Sequence, residues 1–316
     1  MINYFCKSFK KQTKQTLSST PNSISIKSIY TDFKAITKAG LAISVVFSSI
    51  AGFLLGVSDF HSLHWIILLK LAVGGYCMVG ASNAYNQVIE KDLDALMDRT
   101  KNRPVPAGRM AQNLALIIAS ILTLVGIVLL YTINPKTAMF GAISIFLYTS
   151  IYTPLKTVTS LSVFVGAFPG AIPFMLGWVA ATGNFGIEAG TLFLIQFFWQ
   201  FPHFWAIGWF LYEDYEKAGF FMLPTGKKDK GTALQIILYT IWLIVASLLP
   251  SLGFTGQLFI SPVAAVLVFL LGLWMLFYSV KLYQLRTAKA ARTLMLVSVS
   301  YITLLQLIYI FDKILR

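Results

Sequence analysis

The chain has 316 residues, enough for two soluble domains, yet 57% are apolar, only 12% are charged and the mean hydropathy is +0.74. Soluble domains carry roughly 25% charged residues, so composition excludes a water-facing globule, and two isolated cysteines, Cys6 and Cys77, exclude a disulfide framework or a thiolate metal site. A net charge of +13 would point to nucleic acid in a soluble protein; in a chain this apolar it belongs to Lys/Arg-rich loops at one membrane face, so the expected partner is the lipid bilayer and not nucleic acid.

Residues 1–35 are rich in Lys, Ser and Thr, with neither the apolar core of a signal peptide nor the Arg content of a mitochondrial transit sequence. They are expected to form a mobile cytoplasmic tail, with interfacial contact around Ile24–Phe33. Residues 36–316 are the expected membrane domain. A helix needs about 20 mostly apolar residues to cross a bilayer, and nine stretches qualify, near 39–57, 64–85, 113–132, 137–153, 161–181, 190–210, 232–249, 258–279 and 293–311. The fold class is therefore an all-α polytopic membrane protein of about nine transmembrane helices. The Thr153–Pro154 step should end the fourth span, and Pro169 and Pro173, beside Gly166 and Gly170, should bend or break the fifth. With the N-terminus cytoplasmic, 21 of the 25 Lys and Arg residues fall on the inner side, Lys136, Lys313 and Arg316 fall outside, and Lys70 lies within the second span. That asymmetry sets the N-terminus inside and the C-terminus outside.

Eight of the twelve carboxylates sit in two inner loops: Glu90, Asp92, Asp94 and Asp98 after the second span, then Glu213, Asp214, Glu216 and Asp229 after the sixth. Carboxylates contribute little to topology, so the clustering has another cause. Asn83, Asn86, Glu90 and Asp94 make one polar stripe on a helix. Like charges four residues apart repel unless a cation lies between them, and an oxygen-rich site with room for water and phosphate suits Mg²⁺. A solvated helix end is the ordinary alternative, but Asn83 and Asn86 start the stripe while the chain is still apolar, where polar groups face a cavity or a partner helix. Directly afterwards, Arg99, Lys101 and Arg103 alternate before Pro104 and Pro106. Alone they are a topology signal. Beside the carboxylate stripe they suit a diphosphate, which guanidinium groups bind bidentately.

In the second loop, Glu213 and Asp214 are candidates for a second metal site facing the first. Upstream, Gln200-Phe-Pro202-His203-Phe-Trp205 places a histidine inside the sixth span, within an aromatic wall of Phe197, Phe198, Trp199, Phe201, Phe204 and Trp205. Such a histidine is either an interhelical hydrogen-bonder or a functional group. A transporter is the rival class, since buried polar groups and broken helices are typical there; the polar groups here gather at the inner edge instead of the midplane.

The run Asn86-xxx-Glu90-xxx-Asp94-xxxx-Arg99-Thr-xx-Arg103-Pro resembles the first signature of the UbiA-type intramembrane prenyltransferases, with Glu90 where the family usually has Asp. Asn83-Ala-Tyr-Asn86, Phe201-Pro-His203-Phe-Trp205 and Glu213-Asp214-Tyr-xx-Ala-Gly219 resemble its haem-modifying branch. The resemblance spans about residues 35–311 and departs in the second loop, where only Glu213 and Asp214 align. It implies a UbiA-type helix bundle in a bacterial inner membrane and transfer of farnesyl from farnesyl diphosphate to a vinyl group of protohaem IX (haem b), with hydration, giving haem O. Haem is then substrate and Mg²⁺ the cofactor. Asn86, Glu90 and Asp94 would serve Mg²⁺–diphosphate, joined by Glu213 and Asp214, and Arg99, Lys101 and Arg103 would hold diphosphate charge. Asn83 and His203 would position haem or handle a proton, and Trp205 and Tyr212 would contact substrate. Protein partners would be a haem A synthase or terminal-oxidase assembly factors. A UbiA-type enzyme acting on a quinone or chlorophyll precursor is the nearest rival. His61 and His64, in the outer loop, are axial haem ligands or, more simply, interfacial polar residues.

Overall fold

In the computed structural model, residues 26–58 and 64–316 are described, and among them every regular element is helical. Most of the expected tail, and His61, lie outside the described residues. The end of that tail is a helix, α1 (Ile26–Ile36), fastened to the bundle. The Gln87 amide donates to the Ala35 and Ile36 carbonyls, both at 3.1 Å, and Asp32 pairs with Arg109 at 2.9 Å.

After a left-handed residue at Lys38 (φ 46°, ψ 56°), the chain enters α2 (Ala39–Gly56) and then α3 (Trp65–Ile89). The short α4 (Lys91–Leu96) precedes a loop leading to α5 (Gln112–Tyr131). α6 (Pro135–Phe146) widens into a π-helical segment, Leu147–Tyr152, and closes with α7 (Thr153–Leu155). The remaining helices are α8 (Ser162–Thr182), α9 (Ile187–Phe210), α10 (Tyr212–Lys217), α11 (Lys230–Leu248), α12 (Pro262–Leu285) and α13 (Ala288–Leu315). Helix starts follow local chemistry. Asn134, Asp229, Ser261 and Thr287 each accept a backbone N–H three residues on, and Pro135 and Pro262 stand in the first turn, where a missing N–H costs nothing.

Among the described residues, eight helical segments are long and apolar enough to cross a membrane. The exception among the nine expected spans is α9, which is 24 residues long but diluted by Gln196, Gln200 and His203. It packs against α8, α11 and α13, so protein rather than lipid covers much of it. Two expectations change in detail. The fourth span does not stop at Thr153–Pro154: the π-turn carries the helical path to Leu155, with Pro154 in the first turn of α7. The fifth is not broken at Pro169 and Pro173: one helix runs across both buried prolines, with neighbouring helices holding it on several sides. α12 and α13 also extend further toward the inner loop than hydropathy indicated, since Lys281, Lys289 and Arg292 are helical residues projecting beyond the apolar stretch.

Small residues let α2 and α8 touch. A Cβ on Gly52 would lie 1.9 Å from the Phe174 carbonyl oxygen, and one on Gly177 would lie 1.9 Å from that of Ser49. At the far end of the bundle, Lys136 donates to the Gly183 carbonyl, Lys313 to carbonyls at the end of α2 and Arg316 to that of Phe259. The three cations expected on the outer side thus close helix ends and loops. The α3–α5, α6–α8 and α9–α11 connections meet at the opposite end, where the Phe221 amide donates to the Lys156 carbonyl at 2.7 Å.

Candidate active site at the inner end of the bundle

The polar stripe closes α3. Helical hydrogen bonding continues through the break at Glu90, whose N–H donates to Asn86 at 2.9 Å and whose carbonyl accepts from Asp94 at 2.7 Å. Spacing by four therefore survives, and Asn86, Glu90 and Asp94 share a face. Asn83, Asn86, Glu90 and Asp94 are all buried, the two carboxylates at 3% and 1% exposure. A buried carboxylate needs a cation or several donors, and each has a cation: Glu90 meets Lys156 at 2.7 Å, and Asp94 meets Arg103 at 2.7 Å. The Thr100 hydroxyl donates to the Asp94 carbonyl at 2.7 Å, holding the basic segment against α4. Asn86 reaches Thr153 at 3.4 Å. Asn83 donates to the carbonyls of Val79 and Thr37, and its Oδ1 is buried without a partner.

Three residues not singled out in the sequence complete this site. Lys156, one of the 21 cations counted on the expected inner side, is buried against Glu90 and lies over the rings of Tyr152 (4.6 Å) and Phe220 (5.6 Å). Burial works against its charge, but Glu90 outweighs that and raises its pKa. Lys38, half-buried at the α1–α2 turn, is driven down to about 7 by burial and by the charges of Arg103 and Lys156, against the pull of Glu90 and Asp94. Tyr152 comes from the π-helical segment, whose wider turn precedes Lys156. For Lys156 and Tyr152 the sequence signal was the run Tyr148-Thr-Ser-Ile-Tyr152-Thr-Pro-Leu-Lys156, polar residues at the end of an apolar span; Lys38 had none.

The basic loop is organised differently from the stripe. Arg99 donates to the Tyr215 hydroxyl at 3.3 Å and lies over its ring, and Lys101 pairs with Asp98 at 2.6 Å. Hydrogen bonds from Lys101 and Lys217 hold the exposed Asp98 down to about 2. Asp214 does not join the stripe: its carboxylate oxygens accept the backbone N–H groups of Asp98 and Arg99, at 3.3 and 3.2 Å, tying the two inner loops together. Glu213 turns to Lys228 and is 67% exposed. The pair expected as a second metal site is thus divided between a loop clamp and a surface ion pair. Tyr212 donates to the Gly226 carbonyl at 3.1 Å, and Trp205 is buried against Phe201 and Tyr239 with an unpartnered Nε1. His203 faces α13, with Nδ1 2.8 Å from the Ser298 hydroxyl. His64 is exposed at the start of α3.

Among the described residues, no three His, Cys, Asp or Glu side chains converge as a metal cage. The stripe instead offers two carboxylates and two amide oxygens. That donor set fits an ion such as Mg²⁺, which binds one or two carboxylates and completes its shell with water and phosphate oxygens. Arg103 and Lys156 pair with these carboxylates and Lys38 lies within their electrostatic reach, so N–H donors for an anionic ligand gather beside the stripe. The model of the UbiA prenyltransferase family matches residues 45–304. The chain belongs to that family. It is 81% identical over 300 residues to the protoheme IX farnesyltransferase of Flavobacterium johnsoniae, covering 95% of this chain and 100% of that protein. It is 40% identical to that of Cytophaga hutchinsonii, over 88% and 96% of the two chains. Among solved structures, a digeranylgeranylglyceryl phosphate synthase is similar with a TM-score of 0.75 at 16% identity, over 91% and 99% of the two chains. A UbiA homolog from Archaeoglobus fulgidus, bound to GPP and Mg²⁺, is similar with a TM-score of 0.64 at 13% identity, over 89% and 98%. Those likenesses establish the UbiA-type helical fold.

Proposed function

We propose that this UbiA-family prenyltransferase transfers the farnesyl group of farnesyl diphosphate to a vinyl group of haem b, with addition of water, giving haem O and diphosphate. The observation that carries the transfer chemistry is the pairing of two buried carboxylates, Glu90 and Asp94, with Lys156 and Arg103. The identity of the acceptor rests on the haem-farnesylating relatives, which match nearly the whole chain.

Asn86, Glu90 and Asp94 are the residues that would hold Mg²⁺, which when bound neutralises charge on the departing diphosphate. Lys156, Arg103 and Lys38 present N–H donors where that negative charge develops, in a site pre-organised by the bundle. Arg103 uses only NH1 on Asp94, which leaves its other N–H groups for phosphate oxygens. As the farnesyl C–O bond breaks, the electron pair leaves with diphosphate and the allylic carbon bonds to the terminal vinyl carbon. The cation left beside the porphyrin takes the oxygen of water, and a proton is released. Aromatic side chains such as Phe197, Phe201 and Tyr239, packed against one another, exclude bulk water and face cationic intermediates with their π-systems.

In this reading residues 36–316 form the membrane-embedded catalytic unit, with the site and the N-terminus on the cytoplasmic side of a bacterial inner membrane and the C-terminus on the other. The test is mass spectrometry of haems extracted from cells lacking haem O, with and without this chain. Haem O should appear only with the chain; accumulation of a prenylated quinone precursor alone would replace the reading.

A further inference from the structure

His203 is not part of the diphosphate end of the site, and its surroundings define its chemistry. The imidazole stacks on Trp199, with ring centres 4.5 Å apart and planes 17° apart, and the Trp199 indole N–H donates to the Ser298 carbonyl at 2.6 Å. The Ser298 hydroxyl lies 2.8 Å from His203 Nδ1 and donates its single proton to the Met295 carbonyl at 2.7 Å. The Met295 carbonyl also accepts from the imidazole, so the ring N–H lies on the Ser298–Met295 side, at Nδ1, and the lone pair of a neutral imidazole lies on Nε2. No hydrogen bond to Nε2 occurs among the described residues, and the ring is only partly covered. A histidine that ligates a metal has this arrangement routinely: one nitrogen is anchored by a hydrogen bond that fixes tautomer and orientation, and the other is left open.

Charge on the same helix gives the second indication. Arg292 stands six residues before Ser298 on α13, about 9 Å along the axis toward the inner end, and Lys281, Arg286 and Lys289 join it with no acidic residue between 281 and 293. A porphyrin whose iron met Nε2 would have cations available to its propionate carboxylates at the membrane face, and its vinyl groups would lie toward the apolar interior.

We infer that His203 Nε2 is the axial ligand of the iron of the haem substrate, a positioning residue held in the required tautomer by Ser298 and in the required plane by Trp199. The inference rests on the haem reading above and assigns how the porphyrin is seated.

The test uses the full chain in lipid nanodiscs, titrated with haem b and with iron-free protoporphyrin IX, followed by the porphyrin absorption bands. The wild type should bind haem with the spectrum of a histidine ligand and more tightly than protoporphyrin. In His203→Ala, haem affinity should fall to the level of protoporphyrin, protoporphyrin affinity should stay unchanged, and added imidazole should restore the ligand spectrum. Ser298→Ala, which keeps the ligand and removes only its anchor, should weaken haem about tenfold without moving protoporphyrin. An unchanged haem spectrum in His203→Ala, or equal weakening of both porphyrins in either variant, overturns the ligand assignment while leaving the farnesyl-transfer reading standing. A wild-type chain that binds neither porphyrin and makes no haem O overturns that reading and the ligand assignment with it.

Discussion

Lys156 and Glu90, 66 positions apart in the chain, form an ion pair of 2.7 Å with both side chains buried. The pair joins the end of the fourth membrane segment to the end of the second and places a cation beside the carboxylate stripe. Removing one member of a buried pair strands the other charge and typically costs about 3–5 kcal/mol, whereas replacing both with uncharged groups of similar size is often neutral. Lys156→Met should therefore lower the melting temperature strongly. The double variant Glu90→Gln, Lys156→Met should recover most of the stability yet remain inactive, because donors for diphosphate and its metal are gone. Recovery of stability with substantial product formation would make the pair purely structural.

Asp94→Asn keeps the shape of the stripe and removes one carboxylate charge. If Asp94 helps hold the cation that neutralises diphosphate, turnover should fall by at least about 100-fold, roughly 2.7 kcal/mol in the barrier. Product formation near the wild-type rate, in a variant that is inserted and folded, would remove Asp94 from the site.

Arg103→Lys separates recognition from topology. Lysine keeps the positive charge and can still meet Asp94, but it lacks the planar fork that binds two phosphate oxygens together. Turnover should fall about tenfold or more with membrane orientation unchanged. Equal turnover would return Arg103 to the role of an inner-face charge.

Lys38 gives the site a pH dependence. Its pKa, driven down to about 7, leaves much of it neutral above neutrality. A bound diphosphate favours the ammonium form, so binding takes up a proton and affinity should fall as pH rises above about 7. In calorimetric titrations of farnesyl diphosphate between pH 6.5 and 8.5, Lys38→Gln should bind more weakly at pH 6.5 and lose most of that slope. For stability the sign is also defined: an unfolded lysine holds its proton up to its ordinary pKa of 10.5, so the penalty of burying this residue is full below pH 7 and is relieved progressively between pH 7 and 10.5.

The apolar spans and the first motif were legible because both are local. Hydrophobic length marks a membrane helix without tertiary information, and a stripe spaced by four survives wherever the helix goes, so Asn86, Glu90 and Asp94 do end on one face. Lys156 and Lys38 were not legible, because each is one cation among many in the expected inner segments and acquires meaning only when folding brings it to Glu90 and Asp94. The same limit applies to Glu213 and Asp214. Their spacing resembles a ligand pair, but the backbone N–H groups of Asp98 and Arg99 and the ammonium of Lys228 claim them, and no sequence pattern announces such partners.

The most direct measurement reconstitutes the purified chain in nanodiscs with haem b, farnesyl diphosphate and Mg²⁺ in ¹⁸O-enriched water and reads the porphyrin product by mass. The account predicts haem O carrying one farnesyl group and one labelled oxygen, formed with release of one diphosphate. A farnesylated porphyrin without the label would contradict the hydration step. Unaltered haem b alongside transfer to a quinone precursor would contradict the central claim.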